Sequence, residues 1–437
     1  TPCTFATVRM DTQTGQADPT FQSDFSAGVL QPLGTDLWLP NGAQLLDANG
    51  VLAMGAVQLR RTDGVRVPAE FITRPPIIRA LARQPDGATL IGGRFVRVGG
   101  SQENLVRVTA AGQFDTTFAP SVNGRFVQAI GVSGTGEIFV GTTGALLKFT
   151  ATGARDTAFG TGGELASNGT IYAFAPQPDG LIVGGLFGSL GGVNRQALVK
   201  LDPVTGVIDP VWNAQISSNG AVLAIQRDVS GDLYLGGTFA SVGGQPRQNL
   251  ARITSTGALA TSWNAPANSI VWSLLLDGNA LYVGGGFSSL GGSTRQQIGR
   301  VDAVTGALQP WNPGGTTFAG TVRALARGQD GAIFVGGDFL RMGGAFRSRA
   351  AKLDSTTGLA DPNWNPSFDS PVFAILAGYG DTPPRGPRLA SIEQAVTLGG
   401  DFEFAGPEPM SGFTAVQPVG LPAREIFCSG FELRACE

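Results

Sequence analysis

The sequence predicts an all-β protein: an eight-bladed β-propeller of four-stranded blades, closed by pairing the N-terminal strands with the C-terminal blade. Three observations predict it. A block of about 40 to 50 residues recurs along the 437-residue chain. Two markers, a glycine and an aromatic, each occur once per block. One block is split between the two chain ends, as a circular array leaves it, with no open sheet edge.

The recurrence is visible in "ALARQPDGATLIGGRF" (80–95), "AFAPQPDGLIVGGLF" (173–187) and "ALARGQDGAIFVGGDF" (324–339). The glycine that ends each apolar run is Gly55, Gly92, Gly141, Gly184, Gly236, Gly284, Gly336 or Gly399, mostly 43 to 52 residues apart. The closing aromatics are Phe21, Phe71, Phe118, Phe159, Trp212, Trp263, Trp311 and Trp364. Phe21 precedes the first glycine and Gly399 has no aromatic after it, so residues 7–21 complete the unit begun by 371–406. The blades read as about 43–71, 77–118, 125–159, 170–212, 220–263, 269–311, 320–364 and 371–406 with 7–21. Residues 1–21 carry the N-terminal strands, 22–42 form an insert, and 407–437 a C-terminal tail.

Within the sixth unit the strands are "IVWSLLL", "ALYVGGGF", "QQIGRVD" and "ALQPWN". Q-P-D-G joins the first two strands, proline presetting φ and glycine taking the positive-φ position. D-x-x-T-G joins the last two, with Asp202, Asp302 and Asp354 accepting local backbone N–H bonds. A glycine-rich loop after a strand suggests a phosphate cradle, but that chemistry needs a following helix. Here "GGGFSSLGGSTR" leads into another strand, and G-G-x-F recurs at Gly92, Gly184, Gly236, Gly284, Gly336 and Gly399. These glycines read as structural turns between second and third strands, and Trp212, Trp263, Trp311 and Trp364 as structural blade closers.

Apolar residues make up 42% of the chain and charged ones only 14%, with a net charge of −3. That balance argues against nucleic acid as a partner, because such surfaces concentrate Lys and Arg. No apolar run approaches the ~20 residues of a membrane-spanning helix. The sequence has no histidine, which excludes Ser–His–Asp and Cys–His catalysis and histidine-ligated metals. Cys3, Cys428 and Cys436 lie near the ends; in an oxidising compartment Cys3 pairs with either of the others, or Cys428 with Cys436.

Candidate sites follow from departures from the repeat. Trp272, Tyr172 and Arg323 sit near the starts of first strands, and Trp38 lies in the insert; these are the expected ligand-facing residues. Arg195, Arg247, Arg295 and Arg347 follow the second G-G of their units and read as hydrogen-bonding loop or neighbouring-blade carbonyls. No cofactor is expected, though Asp338 and Asp401 in G-G-D-F are weak candidates for calcium. Asp228, Asp232, Asp277, Asp330, Asp361 and Glu393 supply carboxylates for a hydrolase, which needs two of them across a cleft.

The run Q-P-D-G, V-G-G-x-F, L-A-R-[LV]-D-x-x-G-x-x-D-x-x-[FW] resembles the Delta-60 repeat family of bacterial β-propellers over about residues 77–365. That resemblance implies a propeller of an exported protein, with no established reaction and no catalytic residues to carry over. "LDPVTGVIDPVW" and "VDAVTGALQPW" also resemble the docking motif of eight-bladed quinoprotein dehydrogenases. The vicinal cysteines and haem-attachment motif of that family are absent. The start at Thr1 and the ending "IFCSGFE" suggest an exported protein, extracellular, at the cell surface or in the periplasm of a Gram-negative bacterium.

The functional expectation is a non-catalytic binding or structural module for a protein or polysaccharide partner, self-association included. The alternatives are a carboxylate-based polysaccharide hydrolase or lyase, and a calcium- or quinone-cofactor-dependent propeller enzyme.

Overall fold

The computed structural model describes residues 77–96, 103–110, 115–177, 179–314, 320–368, 370–377 and 396–401, with short strand segments within 31–60 and 404–416. They belong to two units, Thr1–Pro76 with Phe95–Ser101, and Ile77–Arg94 with Gln102–Glu437. Every regular element among the described residues is a β-strand.

The larger unit is a succession of antiparallel sheets in which each first strand pairs with a middle strand and the middle strand with a third. The first sheet is Ile77–Arg83, Thr89–Val96 and Glu103–Val108. The second is Val127–Val132, Ile138–Phe149 and the start of the long strand Glu164–Gln177. The rest of that strand opens the third sheet, with Gly180–Leu186 and Leu198–Leu201. The fourth is Ala221–Arg227, Leu233–Thr238 and Leu250–Ile253; the fifth is Val271–Asp277, Ala280–Gly285 and Ile298–Asp302. The sixth is Thr321–Arg327, Ile333–Asp338 and Ala350–Leu353. The seventh is Val372–Ala377, Val396–Gly400 and Phe413–Val416.

Each first strand lies against the first strand of the next sheet, and that of the seventh lies against that of the first. A middle strand is therefore covered on both faces and cannot alternate polar with apolar. "LYVGG" in the fifth sheet and "IFVGG" in the sixth are buried throughout, as a strand packed on both sides requires. The core consists of layers between neighbouring sheets: one joins Ala173 and Ile182 of the third to Val222, Ile225 and Leu235 of the fourth.

The first glycine of each G-G pair is inside the middle strand, where the next sheet comes closest. A methyl added at Gly284 would lie 2.5 Å from Val322 Cγ1, at Gly236 2.5 Å from Val271 Cγ1, and at Gly92 2.5 Å from Val127 Cγ1. Gly141, Gly184 and Gly336 meet Ile171, Val222 and Val372 in the same way. Gly399 of the seventh sheet meets Ile78 of the first, again at 2.5 Å. The second glycine faces its own sheet: a side chain on Gly285 would collide with the Ile270 carbonyl, and one on Gly237 with that of Ala221.

The turn expected at these glycines is made by the second G-G. Gly291 and Gly292 take φ of 58° and 77° at the tip of the hairpin Ser289–Leu290 with Ser293–Thr294. Two successive positive φ values are what a two-residue type I′ hairpin demands. The fourth strand is also less than expected. In five of the seven sheets it is reduced to one bridging residue among the described residues, such as Val301 with Leu308 and Leu353 with Ala360. Beyond the Asp turn, the chain leaves the ladder so that its aromatic can reach the next sheet.

There the aromatic covers the turn glycine. Trp212 lies under Gly257, Trp263 under Gly306 and Trp311 under Gly358, all three glycines at positive φ. Trp212 Nε1 donates to the Ser255 carbonyl (3.0 Å) and Trp311 Nε1 to that of Asp354 (3.1 Å). Trp364 closes the sixth sheet, buried against Phe334 at a centroid distance of 5.2 Å.

The expected count of eight and the closure by N-terminal strands are not shown by the described residues. The described residues of the larger unit hold seven such sheets. The third strand of the last is Phe413–Val416, pairing Val396 with Val416 and Gly399 with Phe413. It comes from the stretch expected to be a tail; residues 7–21 lie outside the described residues. In the smaller unit, Gln31–Leu33, Asp36–Trp38 and Gln58–Arg60 form one sheet. Residues expected in an insert and in a first blade thus pair with each other.

Cations on third strands, and Lys148 at the end of the middle strand of the second sheet, hold the turns by ion pairs. Lys148, 1% exposed at its side chain, bonds Glu137 and Asp156, both at 2.8 Å. Arg252 pairs with Asp228 and Asp232, and Lys352 with Asp330 and Asp361. Burial disfavours the Lys148 ammonium, but its bonds to Asp156 and Glu137 outweigh that and raise its pKa. The Lys148 bond holds Asp156 low; at Glu137 burial pushes upward and the same ammonium overrides it.

Two outcomes are expected. Gly285→Ala should lower the stability of the sheet by about 3 kcal/mol, because its methyl meets backbone, whereas Gly286→Ala, 3.2 Å from the Ile270 side chain, should cost less than about 1 kcal/mol. Urea denaturation compares them, and equal losses would contradict the close backbone approach. For pH, depressed carboxylates contribute stability that is complete above their unfolded pKa of about 4 and is lost as pH falls through the lower folded values. The raised Lys148 contributes stability that is present below about pH 10 and lost above its folded pKa. The denaturation midpoint should therefore fall steeply below about pH 4, and Lys148→Met should flatten that fall.

Candidate functional site

The first strand of every sheet is interrupted at one equivalent place. In the fifth sheet Val271 pairs with Gly285 and Ser273 with Gly284, so Trp272 has no partner across the ladder. The same skip isolates Arg79, Gln128, Tyr172, Leu223, Arg323 and Phe373 in the other sheets. A bulge inserts one residue, bends the strand and re-aims the extra side chain. The preceding residue, always Ile or Val, packs against the glycine of the previous sheet. Each bulged side chain then stands out of the layer: Arg79 is exposed and the other six are half-buried.

Since first strands contact in order and the last contacts the first, these side chains are neighbours. Arg323 Cζ lies 4.3 Å from the centre of the Trp272 indole and 5.8 Å from that of Phe373. On the other side of the seam, Arg79 Cζ lies 4.0 Å from the Phe373 ring. Trp272, Arg323, Phe373 and Arg79 thus form an alternating run of aromatic and guanidinium groups across three sheet boundaries. Cation–π contacts of this geometry hold a guanidinium without neutralising it.

The charges around the run are unevenly matched. Loss of water lowers the pKa of Arg323 first, and the Arg79 charge lowers it further against the pull of Asp338. Burial also dominates at Arg79, with Asp401 and Tyr172 pulling the other way and Arg94 adding to it. Asp338, however, forms an ion pair with Arg349. Arg94 itself lies 5.7 Å from the exposed Phe126 ring. Arg323 Nε is buried with no hydrogen-bond partner among the described residues.

Of the residues expected to face a ligand, Trp272, Tyr172 and Arg323 occupy bulge positions, and Trp272 and Arg323 touch. Trp38 lies in a strand of the smaller unit. Asp338, a calcium candidate, has its carboxylate on Arg349. Among the described residues no group of three or more Cys, Asp or Glu is placed to hold a metal ion. The hydrolase candidates are committed elsewhere: Asp228 and Asp232 to Arg252, Asp277 to Arg327, and Asp330 and Asp361 to Lys352. Glu393, Cys3, Cys428 and Cys436 lie outside the described residues.

The arginines after the second G-G serve their own blades. Arg195, Arg247, Arg295 and Arg347 donate to the carbonyls of Pro210, Thr261, Gln309 and Asp361 in turn, at 2.7 to 3.1 Å. Tyr234 is likewise structural: its hydroxyl donates to the Ala303 carbonyl at 2.7 Å, and burial pushes its pKa up to about 12.

Sequence reasoning missed Arg79, Gln128, Leu223 and Phe373. The signal that finds them is the frame of β-branched residue, variable residue and, in most sheets, a small one, as in Ile78-Arg79-Ala80, Val322-Arg323-Ala324 and Val372-Phe373-Ala374. In that frame the middle position varies in chemical kind.

The family described as "Domain of unknown function (DUF5122) beta-propeller" matches residues 84–118, 177–210 and 230–262. A search of curated proteins found no match. Among solved structures, the chain is similar to a computationally designed protein, Ika8, at 12% identity and a TM-score of 0.49, covering 92% of this chain and 98% of that one. It is also similar to a chain of the mitotic checkpoint complex, at 14% identity and a TM-score of 0.51, covering 78% of this chain and 89% of the other. That second likeness is one of fold. Together with the repeated antiparallel sheets, the family match supports a β-propeller repeat family for this chain.

Proposed function

We propose that the larger unit is a ring of seven propeller blades serving as a non-catalytic binding module, and that its ligand-facing site is the ring of bulged side chains. The observation that carries this reading is the run Trp272, Arg323, Phe373 and Arg79, set at one equivalent position in successive sheets. A scaffold that repeats the same glycine contact and bulge, yet varies the side chain aimed outward, separates architecture from recognition. The contact between the seventh and first sheets supports closure of the ring. The ion-paired carboxylates favour binding over hydrolysis, because an acid–base pair needs carboxyl groups free to exchange protons. In this reading the protein is exported and presents the ring to a protein or polysaccharide partner.

The test screens the full chain against arrays of polysaccharides and peptides, beside the double variant Trp272→Ala/Tyr172→Ala. Partners of the parent protein should lose roughly 2 kcal/mol of binding, about thirtyfold in Kd, in the variant, with thermal unfolding unchanged. Retention of every partner by a folded variant would refute the site. Release of shortened products from a bound polysaccharide would refute the non-catalytic reading.

A further inference from the structure

The described arginines differ in what their donors meet. Arg195, Arg247, Arg295 and Arg347 give their outer nitrogens to carbonyls of their own blades. Arg107, Arg125, Arg252, Arg327 and Arg349 meet carboxylates. Arg79 and Arg323 do neither. Both are placed by the ring faces of Phe373 and Trp272, and neither forms a hydrogen bond or an ion pair with another described residue.

Such an arrangement works against itself in the free protein. Two guanidinium groups gathered around one phenyl ring repel each other, and the half-burial of Arg323 removes part of the water that would screen that repulsion. Aromatic faces restrain the groups without using their N–H donors. The donors stay available, in the planar fork that fits a carboxylate.

From this geometry we infer that Arg79 and Arg323 clamp the carboxylate of a uronate residue in an acidic polysaccharide. The inference rests on the reading of the ring as a ligand site and adds the chemical class of the ligand. Tyr172, at the bulge of the third sheet, whose first strand lies against that of the second sheet, offers an aromatic face to the sugar ring. Gln128, between Arg79 and Tyr172 in ring order, supplies an amide for sugar hydroxyls. A hexuronate joins in one residue an anionic group and an apolar C–H face. An acidic peptide has carboxylates too, but its backbone amides require a regular series of partners, and Leu223 and Phe373 provide none.

Titration calorimetry of the full chain with an α-1,4-linked oligogalacturonate tests the inference. Its methyl ester and poly-glutamate are the comparison ligands. The acid should bind and the ester should bind at least roughly tenfold more weakly, since an ester no longer pairs with guanidinium. Arg323→Gln and Arg79→Gln should each weaken binding of the acid roughly tenfold or more. Arg341→Gln, which removes the same charge from a hairpin of the sixth sheet, should leave it unchanged. Salt at about 0.5 M should weaken the parent protein more than either glutamine variant at the ring.

Equal binding of acid and ester, no binding of the acid, or indifference to both glutamine substitutions in folded variants would overturn the clamp. Tighter binding of poly-glutamate would assign the site to an acidic peptide and overturn the glycan. These failures differ from failure of the site itself: a neutral partner lost on Trp272→Ala/Tyr172→Ala but kept by both arginine variants would preserve the ring and reject only the carboxylate.

Discussion

The contact between a strand glycine and the β-branched residue of the following sheet is the constraint on which the rest of the larger unit depends. It occurs from Gly92 to Val127, from Gly284 to Val322 and, across the seam, from Gly399 to Ile78. Any side chain at the glycine would hold the sheets apart, since even a first carbon lies about 2.5 to 2.9 Å from the opposing methyl. With the glycines in place, middle strands pack on both faces at the density of a protein interior. The same contact explains why the core is a series of layers between sheets.

The bulge follows from that contact. The Ile or Val that packs into the glycine gap must point toward the preceding sheet, and the next side chain is displaced from the ladder by the inserted residue. The second glycine of the pair then leaves room for a carbonyl at the start of the bulged strand, as Gly285 does for that of Ile270. One pair of glycines therefore fixes the spacing of the sheets and aims one residue per sheet outward. The side chain can change at Arg79, Tyr172 or Trp272 while the packing next to each of them, at Ile78, Ile171 and Val271, remains the same.

Much of this was legible in the sequence because the repeat is dense in residues with one conformational use. The Asp-x-x-Thr-Gly turns read correctly: Asp302 accepts from Val304 N, Thr305 N and Thr305 Oγ1, and Gly306 takes φ of 78°. The G-G-x-F pair did not, because a glycine that permits a turn and one that permits close approach look alike in one dimension. Only the φ values of Gly291 and Gly292 and the neighbours of Gly284 and Gly285 separate the two roles. The last sheet was legible only in part. "FTAV" at 413–416 carries no marker of the repeat, yet it pairs with Val396–Gly400. Edge pairing depends on backbone and register, which the side-chain pattern of a four-residue strand hardly encodes.

The site itself is a matter of what each cation is paired with, and that is invisible in composition. Thirty Lys and Arg residues against thirty-three Asp and Glu give no sign of which arginines meet carboxylates or carbonyls and which meet only aromatic rings. The difference arises from position. An arginine on a third strand finds an acid across the ladder, as Arg252 finds Asp228 and Asp232. An arginine after the hairpin finds the carbonyls of its own blade, as Arg295 finds Gln309. An arginine at a bulge has been turned out of the ladder, and its neighbours are the bulged residues on either side. For Arg323 those are Trp272 and Phe373, which can cradle its charge but cannot cancel it. Exclusion from the ladder thus creates both the position and the unused donors, so the bulge that sets Arg323 between two aromatic rings also determines that it forms no ion pair with another described residue.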